Sequence, residues 1–161
     1  MWQTRGMDDN LGETELVFKL GLAFQLLLTE FNARLADAGY ADLRPIHGLA
    51  FQALGPEGAT GSELAQRLGV TKQAAGQIVD HLEERGYVER RPHPAGGRRK
   101  LVVLAPAGVA HLRTAGRVLR RLEAEIGERI GAPGLTELHT GLSEFVRALH
   151  EGPLPPLRPV W

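Results

Sequence analysis

Between Thr60 and Gly86 the chain spells out two short helices with almost nothing between them. Thr60-Gly61-Ser62-Glu63 has the T-x-x-E form of a capping box, in which a hydroxyl and a carboxylate satisfy backbone donors at a helix start. SELAQRL follows, and Gly69 ends it. Val70-Thr71 reopens the chain, Thr71 caps a second helix running to about Arg85, and Gly86 ends that one. Two helices joined by a turn of about three residues containing glycine form the helix-turn-helix pattern. On the second helix Ala75, Ile78, Val79 and Leu82 make an inward stripe, while Lys72, Gln73, Gly76, Gln77 and Asp80 point outward. Lysine and glutamine near the amino end of such a helix suit hydrogen bonding to base edges and phosphates in a major groove. The plainer reading makes them ordinary surface residues, and Thr71 is a cap before it is a phosphate contact.

After Gly86, YVERR and KLVVL have the alternation and β-branched content of two short strands, joined by a proline and glycine loop. A hairpin beside a helix-turn-helix is a wing. Lys plus Arg (19) equals Asp plus Glu (19), so bulk charge points to no polyanionic partner and any such footprint comes from local segregation. From Arg90 to Lys100 there are five basic residues and no acidic one. Arg98, Arg99 and Lys100 fall at the tip, where they would meet phosphates or enter a minor groove. A merely solvated loop is the alternative.

The flanks are helical. Leu16, Leu20, Phe24, Leu27, Phe31 and Leu35 recur at steps of three and four, and Phe18, Leu22 and Leu26 make a second apolar face on the same helix. A helix apolar on two sides is covered on two sides. Leu43 to Leu54 reads as a further helix, with Ile46, Leu49, Ala50, Ala53 and Leu54 inward, stopped by Gly55-Pro56. Behind the wing, Pro106 opens a helix carrying Val109, Leu112, Leu119, Leu122, Ile126 and Ile130. Ala132-Pro133-Gly134 reads as a break, Leu135 to Leu149 as a last helix, and GPLPPLRPVW as a tail too proline-rich to continue it. Amphipathic segments at both ends suggest an intertwined homodimer about a two-fold axis, with a self-closing monomeric bundle as the alternative.

Several classes are set aside. The chain has no cysteine, which removes disulfides and thiolate chemistry and suits a reducing interior. Its opening lacks a secretory h-region, no apolar run approaches the ~18 residues of a membrane span, and a cytoplasmic location without membrane attachment follows. Nothing in the first six residues reads as structure, so Met7 is an alternative start to Met1. Among the six histidines no ligand spacing points to a metal, although His139 and His150 lie on one helix. No phosphate loop or nucleophile motif marks an enzyme, and no cofactor is expected.

The run SELAQRLGVTKQAAGQIVDHLEERGYVERRPHPAGGRRKLVVLAPAG resembles the multiple-antibiotic-resistance-regulator (MarR) family of winged-helix transcription factors. The ELA helix, LGVTKQ…VDHLE helix, RGYVER strand entry and LVVL…G exit match in order and spacing, most strongly over Ser62 to Gly108. The resemblance implies a mainly α fold: a winged helix-turn-helix with a small β-hairpin wing, plus N- and C-terminal helices forming a dimerisation region. It divides the chain into an N-terminal segment and dimerisation helix (1–42), a DNA-binding domain (43–105), C-terminal dimerisation helices (106–150) and a tail (151–161). It implies a homodimer on a pseudo-palindromic double-stranded DNA operator, usually a repressor released by a small aromatic or anionic effector or by oxidation. Without cysteine, a cysteine-based switch is impossible here.

By position, Thr71, Lys72, Gln73, Gly76 and Gln77 would lie in the major groove, and Arg98 falls at the arginine of the family's wing Asp-x-Arg motif. The aspartate of that motif is Gly96 in this chain, which implies a more mobile tip. Effectors in the family bind where the dimer helices meet the winged domain, which points to Phe24, His47 and Phe51; for His47 a partly buried structural role is the plainer reading. A winged helix that docks a protein instead of DNA is the competing function, and salt dependence separates the two.

Overall fold

The structure, a computed structural model, describes residues 11–158. The choice between Met1 and Met7, and the last three residues of the tail, lie outside the described residues. A 3-10 turn over Leu11–Glu13 leads into α1 (Leu16–Leu35), which runs on through a π-helical turn, Ala36–Tyr40. Then come α2 (Pro45–Leu54), β1 (Ala59–Thr60), α3 (Gly61–Leu68), α4 (Lys72–Glu84), β2 (Val88–Pro92), β3 (Lys100–Leu104), α5 (Pro106–Ile130) and α6 (Ala132–Leu149).

Local chemistry sets most of these boundaries. At the start of α3 the Thr60 N–H donates to Glu63 Oε2 at 2.7 Å, and the Glu63 N–H donates back to Thr60 Oγ1 at 3.3 Å. The Thr71 hydroxyl accepts from the Ala74 N–H at 3.1 Å and starts α4. Three boundaries differ from the sequence reading. α2 begins at Pro45 rather than Leu43, because a residue before proline is pushed out of the helical region, and Arg44 is extended. The break after α5 is at Gly131, with φ of 83°; Ala132-Pro133-Gly134 is the first turn of α6, where the missing proline N–H costs no helix bond. The sheet also has a third strand: β1 pairs antiparallel with β3, Ala59 opposite Val102, giving the order β1-β3-β2.

The core lies between α2, α3, α4 and the base of the wing. Phe51, Leu54, Leu64, Leu68, Val79 and Leu82 are its largest fully buried side chains, each stabilising the fold by roughly 1.5–3 kcal/mol relative to exposure. Tyr87 joins this core to the next layer. Its carbonyl accepts the Ala105 N–H at 3.0 Å, its hydroxyl donates to Asp42 at 3.3 Å, and its ring lies 5.8 Å from that of Phe51. Gly108, on the first turn of α5, packs against the same carbonyl; a Cβ there would sit 2.4 Å from the oxygen.

His47, on α2, is buried in the plane where α2 meets α4. Its ring stacks on His81 with centroids 4.3 Å apart, and its Nδ1 accepts the Arg44 N–H at 3.0 Å. Burial, reinforced by His81, lowers its pKa from 6.5 to about 4.

The terminal helices contrast with this interior. Arg34 of α1 makes a two-pronged bond to Glu125 of α5, at 3.0 and 2.7 Å. Yet Leu16, Val17, Phe18, Leu26 and Leu27 of α1 remain exposed, as do Leu138, Leu142, Val146 and Leu149 of α6. By length and composition alone, 16–40 is apolar enough to cross a membrane. This corrects the expectation of no span-length segment, which counted unbroken runs; Lys19, Glu30 and Arg34 interrupt the run without lowering its average much.

Two outcomes follow from this packing. Gly108→Ala should destabilise the fold by about 1–3 kcal/mol, as overpacking does; an unchanged urea midpoint would mean that α5 does not seat on Tyr87. For His47 the folded pKa lies below the unfolded one, so as pH falls from about 6.5 toward 4 the unfolded chain binds the proton first and stability drops. The urea midpoint of the native sequence should therefore fall more steeply through this window than that of His47→Gln, and parallel curves would assign the effect elsewhere.

Candidate nucleic-acid interface

Two surfaces carry the candidate residues: the amino end of α4, and the wing, which is joined to the carboxyl half of α4 through Asp80 and Glu83. Ala75, Val79 and Leu82 fasten α4 into the core, with Ile78 half-buried beside them, and this leaves Thr71, Lys72, Gln73 and Gln77 exposed and Gly76 half-buried. The five residues therefore share the outer side of the helix near its amino end. That end presents N–H groups without helical partners and a partial positive charge, both suited to an anion.

The wing is a two-stranded ribbon with Arg90 opposite Val102 and Pro92 opposite Lys100. Its loop closes through the His93 N–H to Arg99 O at 3.2 Å and the Gly96 N–H to His93 O at 2.9 Å, and the His93 ring Nδ1 accepts the Ala95 N–H. Gly96 and Gly97 have φ of 76° and 80°. The position that the resemblance gives to aspartate is thus in a left-handed backbone, where glycine is at ease.

The five cations from Arg90 to Lys100 divide into two groups. Arg90 bridges to α4, with Nη2 donating to Asp80 at 2.6 Å, Nη1 to Glu83, and its backbone N–H to Glu83 Oε1 at 3.1 Å. Arg91 pairs with Glu89. Arg98, Arg99 and Lys100 are exposed, and no carboxylate pairs with them among the described residues. Arg90 thereby braces the wing against α4, while the tip carries three cations free to meet a polyanion.

A second feature lies between this unit and the long helices. A cavity of about 900 Å³ is lined by Phe24 and Phe31 of α1, Leu49 of α2, and Leu112 and Leu119 of α5, among others. The three residues singled out for a ligand do not converge on it. Phe24 is in its wall, whereas Phe51 is wholly buried in the core and His47 is stacked on His81, neither of them lining the cavity. The inward reading of α2 holds for Ala50 and Leu54, which are buried, and for Leu49 and Ala53, which pack against the core, with Leu49 also lining the cavity.

His111 and Tyr40, which do line the cavity, were missed. His111 is buried, its ring is edge-on to Tyr40 at 4.7 Å, and its Nδ1 has no hydrogen-bond partner. Burial lowers its pKa. Its spacing with Gly108, Ala115 and Leu122, all buried on α5, was the available signal. Among the described residues no three histidine or carboxylate side chains converge on a common point as metal ligands would.

Comparisons with known proteins agree with this geometry. Residues 41–99 match the MarR family. Rv1404 of Mycobacterium tuberculosis is 25% identical and superposes with a TM-score of 0.75, over 86% of this chain and 97% of that one. The MarR family protein Rv2887 of M. tuberculosis, solved in complex with salicylic acid, is 27% identical with a TM-score of 0.62, over 83% of this chain and 97% of its own. S. aureus MepR in its DNA complex shares the fold at 15% identity, with a TM-score of 0.64 over 86% of this chain and 100% of that one. No curated protein matches the chain in sequence. The matched residues run from the loop before α2 to the wing tip, so over its helix-turn-helix and wing the chain is similar to the MarR family, and it shares the winged helix-turn-helix fold of the solved regulators.

Proposed function

We propose that this chain is a homodimeric, sequence-specific repressor that binds a pseudo-palindromic double-stranded DNA operator in the cytoplasm and is released by a small aromatic or anionic effector. The observation that carries the reading is the pairing pattern of the basic residues: Arg90 and Arg91 are engaged by carboxylates, and among the described residues the tip cations are not. In this reading Thr71, Lys72, Gln73, Gly76 and Gln77 enter the major groove, and Arg98, Arg99 and Lys100 reach phosphates or the adjacent minor groove. S. aureus MepR, which has this fold, is solved in complex with DNA, and this supports a DNA-binding role.

Residues 43–105 act as the DNA-binding domain, and 1–42 with 106–150 pair two copies. The uncovered apolar faces of α1 and α6 support that pairing, since a surface of this kind marks an interface. The effector occupies the cavity beside Phe24, while His47 and Phe51, buried on α2, hold that helix to the core behind it. The salicylic acid complex of Rv2887 supports a ligand of that chemistry.

Selection of bound sequences from random duplexes should return a two-fold motif whose half-sites lie about one helical turn, roughly 10 base pairs, apart. Arg98→Ala should weaken binding to that motif by about 1–3 kcal/mol in a mobility-shift titration. Binding without sequence preference or salt dependence would instead favour a protein-docking role.

A further inference from the structure

Past α6 the chain reads GPLPPLR over 152–158, and it folds back onto the body of the protein. At its near end the His150 ring Nε2 hydrogen-bonds the Pro153 carbonyl oxygen at 3.0 Å. At its far end Arg158 Nη2 donates to Gln66 O at 3.1 Å and Arg158 Nε to Arg67 O at 3.3 Å. These carbonyls belong to the last turn of α3, where the helix dipole favours a cation; Gln66 O also accepts the Gly69 N–H at 3.2 Å, so Arg158 adds a second donor to it. The arginine stem lies across Gly69; a Cβ on that residue would come within 2.9 Å of Arg158 Cδ. Gly69 also leads directly into Val70, Thr71 and the start of α4.

The neighbouring residue, Leu157, stands on the lining of the apolar cavity, as does Arg158 itself. Two consecutive residues thus touch the cavity on one side and the turn between the two reading helices on the other. Three prolines between Gly152 and Leu157 restrict the backbone of this segment and lower the entropy lost when it is laid down. Leu157 remains 70% exposed, so its hold is shallow and easily reversed.

We propose that the proline-rich tail is a strap joining the cavity to the turn between α3 and α4: Leu157 closes the rim, Arg158 grips the end of α3, and an apolar ligand entering the cavity displaces both together. The link between cavity and α3 stands on the contacts above. Its effect on DNA rests on the proposed function.

The test uses the full chain and the fluorescent apolar anion anilinonaphthalene sulfonate as probe, with Leu157→Ser, Arg158→Ala and Arg158→Lys compared with the native sequence. Leu157→Ser and Arg158→Ala should bind the dye a few-fold to about tenfold more tightly, the scale of one or two exposed hydrogen bonds, and Arg158→Lys should fall between. Hydrogen exchange of the amides over 66–71 should quicken in Arg158→Ala, and to the same extent in the native chain saturated with dye. Equal dye affinity in all four proteins, or dye binding that leaves exchange over 66–71 unaltered, would overturn the strap. If the native chain shows no preference among duplexes, the proposed function falls, while dye and exchange still decide the strap.

Discussion

The placement of α4 is the constraint on which the other surfaces depend. Its inner stripe is sunk among Leu54, Leu64 and Leu68, and its outer carboxylates, Asp80 and Glu83, are held by Arg90 from the wing. Those two attachments differ in kind. Apolar burial fixes how deep the helix sits, but it is non-directional and leaves rotation and the wing angle poorly determined. The Arg90 bridge is directional, and because Asp80 and Arg90 are partly exposed its energetic worth is modest. Its consequence is geometric: helix and ribbon are set in one frame, and the acidic groups on the outer side of α4 are neutralised before any polyanion approaches.

A second constraint separates the two ends of the chain from the middle. The reading unit closes its own core, with Phe51, Leu64 and Leu68 inaccessible to water, whereas α6 has no buried residue and α1 buries only Leu35. Arg34 and Glu125 tie α1 to α5, and Gly108 ties α5 to the wing base through Tyr87. The contact between α5 and the wing base at Gly108 and Tyr87 leaves no spare volume. The cavity lies between these parts, walled by α1 and α5 on one side and α2 on the other.

Where structure is written in neighbouring residues, the sequence could be read closely. Thr60 with Glu63, and Thr71 with Ala74, are contacts three residues apart, and they marked α3 and α4 almost to the residue. Arg98, Arg99 and Lys100 stood out because tip cations need no tertiary context to be exposed. The failures came where context decides. Pro133 reads as a breaker but is at home in a first helical turn, and two residues of β1 are too few to show alternation. His47 and Phe51 flank Leu49 on one short helix that packs on two sides, so periodicity could not say which side chains met only the core and which the cavity. Arg158 and Gln66 lie 92 residues apart, and no local pattern announces such a contact.

The paired glycines of the wing tip carry a thermodynamic consequence. Gly96 and Gly97 shape the bend through backbone freedom, where a side chain anchored to its neighbours would have shaped it through contacts. Residues of this type have the most conformational states to lose when they are immobilised, at about 1–2 kcal/mol for an average backbone unit and more for glycine. Engagement of the tip by a rigid partner would then be favoured by heat release and opposed by ordering, so calorimetric titration would find the two quantities moving against each other as the tip is stiffened.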